Sequence, residues 1–131
     1  MLKSTPAPTD AEFQVLRVLW RFGPATVRRV HEDLYRGSEV GYTTTLKLLQ
    51  NMLGKGLVKR DEHPRQHIYS AAVTEQNTLN RIVRRWIDNT FGGSSVALAM
   101  QALAAKSISV QELESLKKMI SRFERKEHER K

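Results

Sequence analysis

The 131-residue chain has no cysteine, which removes disulfides, zinc ribbons, iron–sulfur clusters and thiol catalysis from consideration. Its four histidines, His31, His63, His67 and His128, form no HExxH sequence, so no metal site is expected. No apolar run approaches the roughly 20 residues of a membrane-spanning helix. The opening residues, Met1 to Asp10, carry a lysine with no apolar segment behind it and do not read as a signal peptide. No membrane insertion and a cytoplasmic location are the expectation. There is no nucleophile elbow, no glycine-rich phosphate loop and no carboxylate pair in an apolar setting. Glu12, Glu32 and Asp33 read as caps and helix-surface charges. Neither catalysis nor a cofactor is expected, and no internal repeat is visible.

What the chain does have is positive charge. It carries 22 Lys and Arg against 14 Asp and Glu, a net charge of +8, and such an excess attracts polyanions, nucleic acid first among them. The excess is shared evenly between residues 1–73 and 74–131, so it is not a detachable tail. Forty per cent apolar residues suffices for a packed core.

Residues 1–8 are polar with two prolines and read as a flexible N-terminal arm. Thr9-Asp10-Ala11-Glu12 is a capping box. It opens a first helix whose Phe13, Leu16, Val18, Leu19, Trp20 and Phe22 recur at mostly helical spacing. Gly23-Pro24 ends it. Thr26 caps a short second helix with Val27, Val30, His31 and Leu34 inward and Arg28 and Arg29 outward.

The segment from Gly41 to Tyr69 is the most informative. A helix over Tyr42–Lys55 sets Leu46, Leu49, Leu53 and Tyr42 on one side and Thr43, Thr44, Lys47 and Asn51 on the other. Gly54-Lys55-Gly56 supplies a stop. Two short strands, Leu57–Arg60 and Gln66–Ser70, follow around a turn in which Pro64 is well placed. Three helices and a hairpin over residues 9–73 make a winged helix-turn-helix domain. The major groove of B-DNA admits one helix, with short hydrogen-bonding side chains at its surface. Thr43 and Thr44 can touch thymine methyl groups, Asn51 can pair with adenine, and Lys47 can reach a guanine edge or a phosphate. Arg28, Lys59, Arg60 and Arg65 suit phosphates, which set register without reading sequence. Asp61 and Glu62 run against this picture unless they face away from the duplex.

Residues 74–131 read as three further helices. Leu79, Ile82, Val83, Trp86, Ile87 and Phe91 line the first, and Gly92-Gly93-Ser94 breaks it. Val96–Ala105 is apolar almost all round, which a lone surface helix cannot tolerate. Ser109-Val110-Gln111-Glu112 is a second capping box, and Leu113, Leu116, Ile120 and Phe123 repeat at steps of three and four, the seam of helix-on-helix packing. From Glu124 the chain is charged and expected to fray. Such a surface packs either on the first domain or on a second copy. The second is favoured, with Val96, Met100, Leu103, Leu113, Leu116, Ile120 and Phe123 holding a homodimer. The fold class is therefore mostly α with a small β-hairpin, a winged helix-turn-helix domain followed by a three-helix dimerisation region.

Taken together, Thr9-Asp10-Ala11-Glu12, Val15-Leu16, Leu19-Trp20, the run from Gly23 to Val30, Tyr42-Thr43-Thr44, Leu46, Leu48-Leu49, Lys55-Gly56-Leu57-Val58 and Ile68-Tyr69-Ser70 resemble the penicillinase-repressor (BlaI/MecI) family. The resemblance runs from Thr9 to roughly Phe123 and includes Phe91-Gly92-Gly93-Ser94. It implies a homodimeric transcriptional repressor with an N-terminal winged helix on DNA. For members tied to β-lactam sensing it also implies a membrane sensor protease and cleavage of an Asn-Phe bond in the fifth helix. That bond aligns with Gln101-Ala102 here, which argues against induction by cleavage and against a β-lactam-resistance role. The copper-responsive branch carries a C-terminal cysteine cluster that this chain lacks. Gln50-Asn51 and Lys47 differ from many relatives, so the operator should differ from the TACA/TGTA-type dyad. Two rival readings stand beside a sequence-specific repressor on a pseudo-palindromic operator. One is a winged-helix protein-interaction module, the other a DNA binder without sequence preference.

Overall fold

A computed structural model describes residues 6–63 and 65–130. Most of the expected N-terminal arm, and the turn role given to Pro64, lie outside those residues. The chain divides into two compact units that meet between Arg85 and Trp86, each described by itself.

The first unit begins with α1 (Asp10–Phe22), and its start is the expected capping box: the Thr9 hydroxyl accepts from the Glu12 N–H, and the Glu12 carboxylate accepts from the Thr9 N–H. Val15, Leu16, Val18 and Leu19 form its buried stripe, while Phe22 is exposed rather than part of the core. Ala25 and Thr26 form a strand, β1, directly before α2 (Val27–Tyr35). The Thr26 hydroxyl caps α2 by accepting from the Arg29 N–H.

The helix α3 (Tyr42–Lys55) ends in a Schellman turn. The Gly56 N–H reaches the Leu53 carbonyl and the Leu57 N–H the Met52 carbonyl, with Gly56 at φ 80°. Only glycine takes that left-handed conformation freely. Leu57 and Met52, the two ends of the second of these bonds, are both buried in the core.

Strands β2 (Val58–Asp61) and β3 (Ile68–Ala71) follow. The sheet is antiparallel in the order β1-β3-β2 and has three strands, one more than the hairpin read from the sequence. Ala25 pairs with Tyr69 and Thr26 with Ile68, while Arg60 lies across from Tyr69 and Lys59 across from Ser70. Tyr69 carries the central strand into the core beside Val30, Leu49 and Met52. The Trp20 indole N–H donates to the Val73 carbonyl at 2.9 Å, fixing the chain as it leaves the sheet.

The helix α4 (Glu75–Thr90) starts in this unit, where Thr78 is buried and its hydroxyl donates to the Thr74 carbonyl. The second unit holds the end of α4, then α5 (Ser95–Ala105) and α6 (Val110–Arg130). Ser94 caps α5, and the second capping box forms as expected, with Ser109 and Glu112 bonded both ways. The fraying expected from Glu124 does not occur: α6 continues to Arg130, helped by a Glu127–Arg130 pair one turn apart.

Candidate nucleic-acid interface

The interface is built on α3, whose buried side is Thr45, Leu49 and Met52. Leu46, Leu48 and Leu53 are half-buried beside them, and Tyr42 is exposed. The inward stripe thus sits further round the helix than the leucines alone suggested. Thr43, Thr44, Lys47 and Asn51 are all exposed, and at about 100° per residue they fall within roughly a third of the helix circumference. Gln50 is exposed at the edge of the same face.

Around the start of α3 lies a cleft of about 270 Å³ lined by Thr26, Arg28, Tyr42, Leu46, Arg65 and His67 among others. It brings Arg28, at the N-terminus of α2, to the same concave surface as Arg65 in the β2–β3 turn. Both side chains are exposed. A helix N-terminus presents free N–H groups and a partial positive charge to an anion, so the two guanidiniums reinforce a field already of the right sign.

The other two basic candidates are arranged differently. Successive residues of a strand face opposite sides, so Lys59 and Arg60 do not share a face of β2. Lys59 is exposed, whereas Arg60 lies on the side of buried Val58 and Tyr69 and pairs with Glu62. Tyr69 and then Glu62 hold the Arg60 guanidinium still more firmly in its charged form, and Arg60 holds the Glu62 carboxyl below the ordinary carboxylate range. The Asp61 carboxylate accepts from the His63 N–H at 3.0 Å, a local turn bond. Both wing carboxylates are therefore engaged within the wing. His63 and His67 are four residues apart on this turn, and among the described residues no cluster of His, Cys, Asp or Glu is suited to hold a metal ion.

Two polar ties went unread in the sequence. Glu12 is almost wholly buried and accepts from Lys55 Nζ at 2.7 Å, joining the start of α1 to the end of α3. Burial pushes the Glu12 carboxyl up, but the Lys55 ammonium and the Thr9 N–H outweigh it and leave the group below its ordinary value. Thr45 is fully buried, and its hydroxyl lies 2.7 Å from His31 Nδ1 on α2. The spacing of Thr45 with Leu49 and Met52, at i, i+4 and i+7, was the available signal for its burial.

In the second unit the residues assigned to a dimer are all on α5 and α6, and neither helix has a buried residue. Val96, Met100, Leu103, Leu113, Ile120 and Phe123 are exposed, and Leu116 is half-buried.

Three helices, a small antiparallel sheet and a wing beside an exposed, short-side-chained third helix define a winged helix-turn-helix regulator. The penicillinase repressor model matches residues 8–122. The penicillinase repressor of Bacillus licheniformis is 19% identical over 128 residues, 98% of this chain and 100% of that protein. The transcriptional regulator BlaI of Mycobacterium tuberculosis is 40% identical over 62 residues, 47% of this chain and 45% of that protein. A solution structure of the DNA binding domain of the repressor BlaI covers 58% of this chain and 93% of its own length, with 24% identity and a TM-score of 0.50. The structural likeness supports the fold, and the family match covers both units. The chain belongs to the penicillinase repressor family and is a winged-helix transcriptional repressor.

Proposed function

We propose that the protein acts as a homodimer in the cytoplasm, without cofactor or catalysis, and represses transcription by occupying a pseudo-palindromic operator in double-stranded DNA. The observation that carries this reading is the common exposed face of Thr43, Thr44, Lys47 and Asn51, flanked by a cleft holding Arg28 and Arg65. The four α3 residues read base edges, and Arg28, Lys59 and Arg65 hold phosphates. Arg60 joins them once it leaves Glu62. The local bonding of Asp61 and Glu62 supports this reading over a protein-docking wing, because neither carboxylate needs to point at the duplex.

The dimer rests on the unpartnered apolar residues of α5 and α6. Two-fold symmetry in the protein calls for two-fold symmetry in the DNA, with half-sites about 10 base pairs, or a multiple, apart. The Gln101-Ala102 bond lies inside α5, and its residue types support release of repression by a route other than the family's cleavage through a membrane sensor protease.

Selection from a random duplex library tests the reading. The expected product is a single inverted repeat whose binding weakens steeply with salt, about a thousandfold or more between 50 and 200 mM for six to ten phosphate contacts. Recovery of no motif with salt-sensitive binding would mean a sequence-blind DNA binder. No binding at low salt would mean a protein-docking module.

A further inference from the structure

The geometry points to His31 as the positioning residue that sets the rotation and register of the reading helix, and through it the sequence discrimination of Thr43 and Thr44. This rests on the DNA-reading role given to α3 above. Of the three buried residues of α3, Leu49 and Met52 are apolar, and their packing limits movement of the helix without setting any donor–acceptor geometry at its start. Thr45 is the polar one. Its hydroxyl has a side-chain partner in His31 Nδ1 at 2.7 Å, and a bond of that length constrains both distance and angle.

Thr45 follows Thr43 and Thr44 directly, so wherever it is held theirs is determined, since each residue advances the helix by about 100°. The start of α3 has no other polar side-chain anchor at its cap: Gly41 is the N-cap and offers no side-chain bond. The imidazole itself lies near two aromatic rings. Its ring lies 6.0 Å from Tyr42, edge-on, and 5.8 Å from Tyr35. Tyr42 is the first residue of α3, so His31 grips the opening turn of the reading helix at two points while standing behind it, away from the exposed face.

The test compares affinity for the selected operator with affinity for a scrambled duplex of equal length, using four full-length variants. Thr45→Val keeps the core volume and deletes the hydroxyl. Thr45→Ser restores it. His31→Phe keeps the ring and loses the bond, and His31→Asn sets an amide oxygen near the position of Nδ1. Thr45→Val and His31→Phe should each lose about tenfold in operator affinity, the scale of one lost hydrogen bond, with scrambled-duplex binding unchanged. Thr45→Ser and His31→Asn should recover most of it. Amide exchange at Thr44 to Leu46, the first amides of α3 with acceptors in the helix, should quicken in the first pair alone. Equal losses on both duplexes, or operator preference retained in Thr45→Val, overturns the role given to His31 and leaves the repressor reading intact. Absence of operator preference in the unmutated protein overturns both.

Discussion

Glu12 serves the first unit twice, as the reciprocal partner in the α1 capping box and as the buried acceptor of Lys55 at the far end of α3. Replacing it with glutamine keeps a group able to accept the Thr9 bond and removes the charge. Lys55 is more than a third exposed and can turn to water, so Glu12→Gln should cost about 1–2 kcal/mol, below the full penalty of a stranded buried ion. The same tie makes stability depend on pH. The folded carboxyl lies below its ordinary value of 4.5, so its contribution is complete above that value and is lost as the pH falls through the lowered one. Urea midpoints should drop for the unmutated protein between about pH 5 and pH 3, and the drop should be shallower in Glu12→Gln; parallel curves would remove Glu12 as the cause. At the other face of the unit, Lys47→Ala should cost about 1–3 kcal/mol at one operator position if Lys47 reads a base. A panel of single-base operator variants measures this, and a uniform loss would make it a phosphate clamp. The exposed face of α3 was legible because short polar residues alternate with leucines at helical spacing. Glu12–Lys55 and His31–Thr45 were not, since each joins residues far apart in sequence whose types also suit a surface.

The elements were easier to read than their pairings. Capping boxes at Thr9 and Ser109 and the glycine stop after Lys55 are local chemistry, written within three or four residues, and all three form. Strand β1 is two residues long, too short for any period, and exists because β3 presents an open edge beside it, a fact of tertiary structure alone. The continuation of α6 past Glu124 has a similar lesson: a charged run without apolar residues reads as an end, yet good helix formers and pairs one turn apart carry it on. The wing is where an element-scale prediction belongs. If its turn lies along the duplex, Arg65→Ala should weaken binding equally on all sequences and lower the salt slope by about one. Glu62→Gln should do the reverse, because it removes a negative charge and frees Arg60. Tighter binding to any duplex and a steeper salt slope are expected of it. Fluorescence anisotropy across a salt series measures both, and no change in either variant would place the wing off the DNA.

At the scale of the whole molecule, the second unit exposes what globular units bury. Val96 is 67% exposed and Met100 66%, and α6 keeps Leu113, Ile120 and Phe123 open on one seam. Covering one such side chain fully contributes about 1.5–3 kcal/mol, so the seven residues assigned to the interface offer on the order of 10 kcal/mol per protomer. Association itself costs about 4–15 kcal/mol, so the proposed dimer depends on these side chains being covered together. Leu116 is the half-buried member of the seam. An aspartate there would carry a charge into the interface that nothing nearby in the seam can neutralise. Leu116→Asp should therefore sediment as a monomer where the unmutated protein sediments as a dimer. Loss of folding would mimic that result for operator binding, and a half-site separates the two. Helix α3 and the wing, which the proposal sets on the DNA, belong to the first unit, so the monomeric variant should bind a half-site duplex as the unmutated protein does, and lose affinity only on the full operator, where two linked contacts become one. A variant that remains dimeric would move the interface elsewhere. A monomer that binds the full operator undiminished would show that the two subunits do not read it together.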